Sequence, residues 1–199
     1  AFPDLSLTGY VVRDRAYELA ELVPDGDSVQ EIERIAKKEQ VHIVFGMIEK
    51  SPKASAVLHN TAVLIGPGGY IGKYQKMYLP THSVFEEKRY FRPGYQTSTF
   101  ETKLGTLGML ICYDIYFPEV TRLLCLRGAQ LLICISASPS VRRGFFETLT
   151  AARAIENTAF VAFVNLAGIQ DGLQFWGGSR IIAPSGSVIS QAKYDEADL

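Results

Sequence analysis

Long hydrophobic runs are missing from this chain. No apolar stretch approaches the roughly 20 residues that a membrane-crossing helix needs, so no membrane partner is expected. Cysteine is scarce: Cys112, Cys125 and Cys134 are odd in number and show no CxxC spacing. That pattern argues against a zinc site or a disulfide framework and fits a reducing compartment. Histidine is as rare, and none of His42, His59 and His82 lies in the context of a cysteine–histidine pair. His42 and His59 fall in predicted strands as structural residues, whereas His82 sits in a long loop whose position allows a substrate contact. An excess of one charge is also lacking. The net charge is −1 without any basic run, which excludes a nucleic-acid surface and a polybasic membrane patch. The chain begins at Ala1 in what reads as a strand end, and a cytoplasmic location is the default expectation.

What is present is apolar patterning. With 47% hydrophobic residues in 199, the chain is expected to form one domain over residues 1–199 with a sizeable core. Arg13 to Val23 is predicted as a helix, stopped by Pro24-Asp25-Gly26. Ser28 and Glu31 have the spacing of a capping box, opening a helix to about Gln40. Val41 to Glu49 reads as a strand, and Asn60–Ile65 and Tyr70–Tyr74 flank a glycine-rich hairpin turn. A long irregular passage then runs to Gly94, and loops of that length are usually functional. Further strands are predicted over Thr97–Glu101, Gln130–Ser136 and Phe160–Asn165, with a helix over Phe145–Asn157. Leu166–Gly178 reads as a glycine-rich loop, and Arg180–Pro184 with Val188–Gln191 as a last hairpin. Helices alternate with buried strands while hairpins recur, so the class is α/β (α+β mixed) with a mixed sheet.

The most informative stretch is LGMLICYDIYFPEVTR, Leu107 to Arg122. Leu107–Ile111 is a buried strand, and Pro118 suits the first turn of a helix that Gly128 stops. Cys112 therefore lies on a tight strand-to-helix bend. Nucleophiles are presented on such turns, where the next backbone N–H, that of Tyr113, can bind an oxyanion. A buried cysteine that merely ends a core strand has the same local pattern. With no histidine in reach, the remaining proton-transfer candidates are Asp4, after AFP, and Lys76 in KYQKMYLP. In FEEKRYF, Glu86 and Glu87 are equal candidates by chemistry.

Three segments in order, FPDLSLTGY, GKYQKMYLP and LGMLICYDIYFPEVTR, resemble the Glu, Lys and Cys motifs of the nitrilase superfamily of carbon–nitrogen hydrolases, in its amidase/carbamoylase-like branch. FEEKRYFRPG, ARAIEN and FWGGSRIIAPSG extend the resemblance over nearly the whole chain. It implies an α-β-β-α four-layer sandwich of two mixed sheets, truncated at both ends relative to the family. It also implies Cys112 as nucleophile, Lys76 as the cation beside the tetrahedral intermediate, Glu87 as an additional acid, and the Tyr113 N–H in the oxyanion hole. The reaction implied is hydrolysis of a small amide, carbamoyl or nitrile substrate through a cysteine thioester, with no cofactor, no metal and a homodimer or higher homo-oligomer. Two departures stand out: Asp4 replaces the family glutamate, and Tyr116 replaces a frequent arginine. The first leaves a non-catalytic or acyl-transferring member of the same fold as the alternative.

Overall fold

The computed structural model of the protein describes residues 1–54, 56–81 and 85–198. Two compact units divide it, Ala1–Gln96 and Thr97–Leu199. No helix among the described residues is long and apolar enough to cross a membrane.

The first unit is built on an antiparallel sheet of β1 (Ile43–Lys50), β2 (Leu58–Gly66) and β3 (Gly69–Gln75), in that order. Successive strand residues face opposite ways, so each strand divides its side chains between two faces. Phe45 and Met47 of β1, with Val63 and Ile65 of β2, take one face and pack against Val29 and Ala36 of helix α2 (Asp27–Glu39). Val44, Gly46 and Ile48 alternate with them, as do Asn60, Ala62 and Tyr74, and so belong to the other face. Ile48 and Leu58 there join Leu5, Leu79 and Phe91 in a second apolar cluster, with Ala16 of the short helix α1 (Ala16–Leu19).

Two predicted features of this unit are corrected. The helix expected over Arg13–Val23 is only a 3-10 turn, Arg13–Arg15, followed by α1. The chain turns extended at Ala20 because Glu21 pairs with β1: its N–H donates to Ile48 O (3.1 Å), and Lys50 N–H donates to its carbonyl (2.8 Å). A ladder bond takes the backbone that another helical turn would need. The Ser28–Glu31 capping box does not form either. Glu21 accepts both the Ser28 N–H (2.9 Å) and the Ser28 hydroxyl (2.5 Å), while Glu31 turns to Arg34. A carboxylate from the preceding loop thus satisfies an orphan donor of the first helical turn.

The second unit carries a six-stranded sheet in the order β11-β10-β7-β6-β5-β4. Its centre is parallel: β5 (Gly105–Ile111), β6 (Leu131–Ser136) and β7 (Phe160–Asn165). Parallel strands are covered on both faces, which is why LGMLI and LLICIS read as continuous apolar runs. Helix α4 (Pro118–Leu126) connects β5 to β6, and α5 (Arg143–Asn157) connects β6 to β7. Gly108 lets α4 lie close, because a Cβ there would meet Leu124 Cβ at 3.1 Å. Antiparallel strands flank the centre: β4 (Thr99–Thr102) on one edge, β10 (Arg180–Ile182) and β11 (Val188–Gln191) on the other. The loop expected over Leu166–Gly178 is instead a hairpin of β8 (Ala167–Gln170) and β9 (Leu173–Trp176). Gly172, at φ +76°, supplies the turn that the glycine-rich composition had suggested without locating the strands.

Gly46 lies under the opening turn of the first unit with no room for a side chain. A Cβ at that position would collide with the Leu5 N and come within 3.0 Å of the Pro3 carbonyl. Gly46→Ala is expected to destabilise the protein by about 1–3 kcal/mol, the usual cost of overpacking. Chemical denaturation of parent and variant checks this, and equal midpoints would show that the Pro3–Leu5 turn yields freely.

Candidate active site

Asp4, Lys76 and Glu87 meet in the first unit. Asp4 sits on a turn at the very start of the chain, which is tied to β1 on both sides: Phe2 N–H donates to Val44 O (2.7 Å) and Leu7 N–H to Gly46 O (3.1 Å). Leu5, at φ +49°, bends the chain between them. The absence of a Cβ on Gly46 is what allows this turn to press onto the strand. Lys76 follows the last residue of β3 and keeps the alternation of Tyr74, so its side chain belongs to the Asn60 face. Its N–H donates to Asn60 O (2.9 Å), and its carbonyl accepts from Gly94 N–H (2.8 Å).

Asn60 is the member that sequence reasoning missed. Its backbone carbonyl holds Lys76, and its side-chain amide donates to Asp4 Oδ1 (2.9 Å). One strand residue therefore fixes the acid and the base-bearing segment together. Its only signal in the sequence is a polar residue at an inward position of a buried strand, Leu58–Gly66.

Glu87 arrives on α3 (Glu87–Tyr90), a single helical turn inside the passage expected to be irregular. The structure distinguishes the two neighbouring glutamates: Glu87 is buried, whereas Glu86 is exposed and faces Arg89 at 3.8 Å. Lys76 Nζ lies 2.7 Å from Glu87 Oε1 and 3.4 Å from Asp4 Oδ2, and the side chains of Lys76 and Asp4 are inaccessible to solvent. Tyr10, at the end of FPDLSLTGY, donates its hydroxyl to the same Glu87 Oε1 (2.7 Å). Glu87 Oε2 is buried with no hydrogen-bond partner among the described residues.

Burial dominates the electrostatics of this cluster. It pushes the Glu87 carboxyl up to about 7, the Asp4 charge adds to the rise, and the Lys76 ammonium and the Tyr10 hydroxyl oppose it. One cation faces two acids out of water, and a buried excess charge is costly. A proton on Glu87 leaves the Lys76–Asp4 pair neutral. The cluster thus holds an ammonium beside a carboxyl group that exchanges its proton close to neutral pH.

Cys112 belongs to the second unit, where β5 ends at Ile111. The sequence places the bend correctly, but a 3-10 turn over Cys112–Tyr116 intervenes before α4. Cys112 is buried and has φ +48°, in the left-handed region, which costs a non-glycine residue roughly 1–2 kcal/mol. Such strain persists only where surrounding contacts impose it, and it clusters at functional sites. Asp114 supplies one contact by accepting the Ile111 N–H (3.0 Å). Because β5, β6 and β7 run parallel, Cys112 shares the carboxyl edge of the sheet with the chain after Ser136 and Asn165. That edge is where open α/β sheets place their ligands. Asn165 accepts the Ser138 N–H (2.8 Å) and donates to Gly177 O (3.1 Å), while Trp176 Nε1 donates to Ser138 Oγ (3.1 Å). Trp176 and Asn165 thus brace the neighbouring loops.

His42 and His59 make no hydrogen bond or ion pair with the Asp4–Lys76–Glu87 cluster among the described residues. His59 lies in β2 with Nδ1 2.9 Å from Arg92 O, a structural contact as expected, and His42 just precedes β1 rather than lying in a strand. His82 lies outside the described residues.

A mixed α/β chain with a buried lysine–carboxyl cluster and a strained cysteine turn has the parts of an acyl-transfer hydrolase. The chain belongs to the carbon–nitrogen hydrolase family, whose profile matches residues 1–199. It is 33% identical to a nitrilase of Pyrococcus abyssi over 99% of this chain and 72% of the relative. Its identity to the human omega-amidase NIT2 is 32%, over 90% of this chain and 67% of that protein. Among solved structures, a variant of the amidase from Nesterenkonia sp. AN1 superposes with a TM-score of 0.85 at 29% identity, covering 97% of this chain and 73% of the amidase. The protein is accordingly a carbon–nitrogen hydrolase of the nitrilase superfamily, related to amidases and nitrilases.

Linkage gives a test of the buried cluster. Glu87 is raised from an ordinary value of 4.5 to about 7 in the folded protein. The folded state then binds more protons than the unfolded chain across that window, so its contribution to stability is full below pH 4.5 and is lost as pH rises through about 7. Glu87→Gln should flatten this slope, as measured by urea midpoints at a series of pH values. A slope unchanged by the substitution would place the titrating group elsewhere.

Proposed function

We propose that the protein hydrolyses the C–N bond of small amides or carbamoyl amides through a thioester on Cys112. The observation that carries this reading is the buried Asp4–Lys76–Glu87 cluster, in a chain whose family is that of the carbon–nitrogen hydrolases. The Nesterenkonia amidase variant adds support, because it shows covalent addition of the acetamide moiety of fluoroacetamide at its active site cysteine.

In this reading Asp4 takes the Cys112 proton, and Sγ attacks the substrate carbonyl carbon. The oxygen of the tetrahedral intermediate is stabilised by the Lys76 ammonium and the Tyr113 backbone N–H. Collapse of the intermediate breaks the C–N bond. The leaving nitrogen takes the proton held by Asp4 and departs as ammonia or an amine. Water then loses a proton to the same carboxylate and adds to the thioester, and Cys112 leaves as the thiol. Glu87 holds the Lys76 ammonium through Oε1. A nitrile joins the same sequence in two steps: the thiolate adds to its carbon to give a thioimidate, and one water then adds to reach the tetrahedral intermediate that releases ammonia. The aspartate is one methylene shorter than the glutamate of the family motif, and Asn60 gives it a fixed hydrogen bond in its place on the turn.

Two measurements test the reading. On a short amide that the parent turns over, followed by ammonia release, Asp4→Asn should lower kcat by on the order of 10²–10⁴, the usual worth of a general base. Parental turnover in Asp4→Asn would assign the proton transfer to another group. Separately, Cys112 should react with iodoacetamide faster than Cys125, although Cys125 is the more exposed of the two. Burial pushes the Cys125 thiol up, which lowers its thiolate fraction. Equal labelling of the two by peptide mass spectrometry would remove the case for an activated thiol.

A further inference from the structure

The cysteine turn is strained, and the strain must be held from outside. Asp114 secures its entrance through the Ile111 N–H. Its exit is a helix end, where carbonyls run out of intrahelical partners. The Asp114 carbonyl is satisfied within the turn by the Phe117 N–H (3.0 Å). The next two carbonyls are not, and both are met by one side chain of α5: Arg153 donates from Nε to Ile115 O (2.9 Å) and from a terminal nitrogen to Tyr116 O (3.2 Å). Arg153 is itself buried, with its remaining nitrogen on Glu156 (3.1 Å). One turn further along α5, Asn157 donates to Thr121 Oγ1 of α4 (3.3 Å). The helix therefore grips the segment that follows Cys112 at two successive levels.

We propose that Arg153 is a positioning residue for the nucleophile: its planar fork clamps the Ile115 and Tyr116 carbonyls and so holds Cys112 in its left-handed conformation and the Tyr113 N–H in its catalytic orientation. A buried arginine could serve stability alone, and an ion pair to Glu156 would suffice for that. Instead, two of its donors go to adjacent carbonyls of one five-residue turn, Cys112–Tyr116, that begins at the cysteine. Releasing that end lets the turn relax toward the right-handed region, which rotates both the sulfur and the N–H after it. Lysine cannot reproduce this, since a point charge lacks the paired planar donors.

The inference rests on Cys112 as the nucleophile, so the experiment includes Cys112→Ala. Parent, Arg153→Ala, Arg153→Lys and Cys112→Ala are compared as full chains for kcat and KM on one short amide. Circular dichroism checks folding at the assay temperature, and peptide mass spectrometry follows the rate of iodoacetamide labelling at Cys112. Arg153→Ala should lose about 10²-fold in kcat, the cost of a misplacement near 1 Å, with KM within a few-fold of the parent. Its Cys112 labelling rate should change, and millimolar guanidinium should restore part of kcat. Should Arg153→Ala fail to fold, Arg153→Lys carries the same readouts and should show a smaller loss of kcat at similar KM. A folded variant with parental kcat and labelling, or a loss that merely follows the unfolded fraction, would overturn the proposal. Turnover retained in Cys112→Ala would overturn the nucleophile and this inference with it. An inactive Cys112→Ala beside fully active Arg153 variants would overturn the inference alone.

Discussion

An ammonium group out of reach of water governs the first unit. Lys76 cannot keep its charge there without anionic partners, and the chain brings two from distant points in sequence, Asp4 and Glu87. Each is carried by a segment that would otherwise lack a reason for its shape. The opening turn is pinned to β1 at Val44 and Gly46, and the helical turn α3 interrupts a long connection to bring Glu87 inward. Two acids for one base leave a surplus negative charge, and burial resolves it by raising the proton affinity of Glu87. The electrostatic demand of one lysine thus reaches the backbone of three separate segments.

The second unit solves a different problem, that of holding a cysteine in a conformation its side chain disfavours. A parallel strand must end before its crossover helix begins, and the bend between them concentrates the change of direction on Cys112. Asp114 and Arg153 close the two ends of the short turn that follows. Their bonds are to backbone groups, so the geometry is fixed whatever the side chains between them do. Around it, Tyr116 packs on Tyr113 (5.0 Å between ring centroids) and on Phe146 (5.6 Å).

Glycine contributes through what it leaves out. Gly46 makes room for the Asp4 turn, Gly94 lies against the Gln75 backbone next to Lys76, and Gly108 admits α4 onto β5. In each case the missing Cβ brings backbone within contact distance of backbone or of a tightly packed side chain.

The sequence by itself determined the parts with a strong local signature. Apolar runs marked β5, β6 and β7, proline and glycine bracketed α4, and the order of three motifs identified the family and its fold class. It also singled out Cys112, Lys76, Asp4 and Glu87 as candidates, because motif register is a linear property. What it could not supply was any relation that depends on a partner far along the chain. The helix expected to reach Val23 stopped at Leu19 because β1 claimed Glu21, and the Ser28–Glu31 box yielded to that same glutamate. The β8–β9 hairpin lay hidden in glycine-rich sequence, because its pairing is set across the turn rather than by its own periodicity. Only the tertiary structure decided that Asn60 ties Asp4 to Lys76 and that Arg153 grips the cysteine turn. Each of these is a hydrogen bond or charge contact made at a long sequence separation, and its strength comes from burial, a quantity that no local pattern contains.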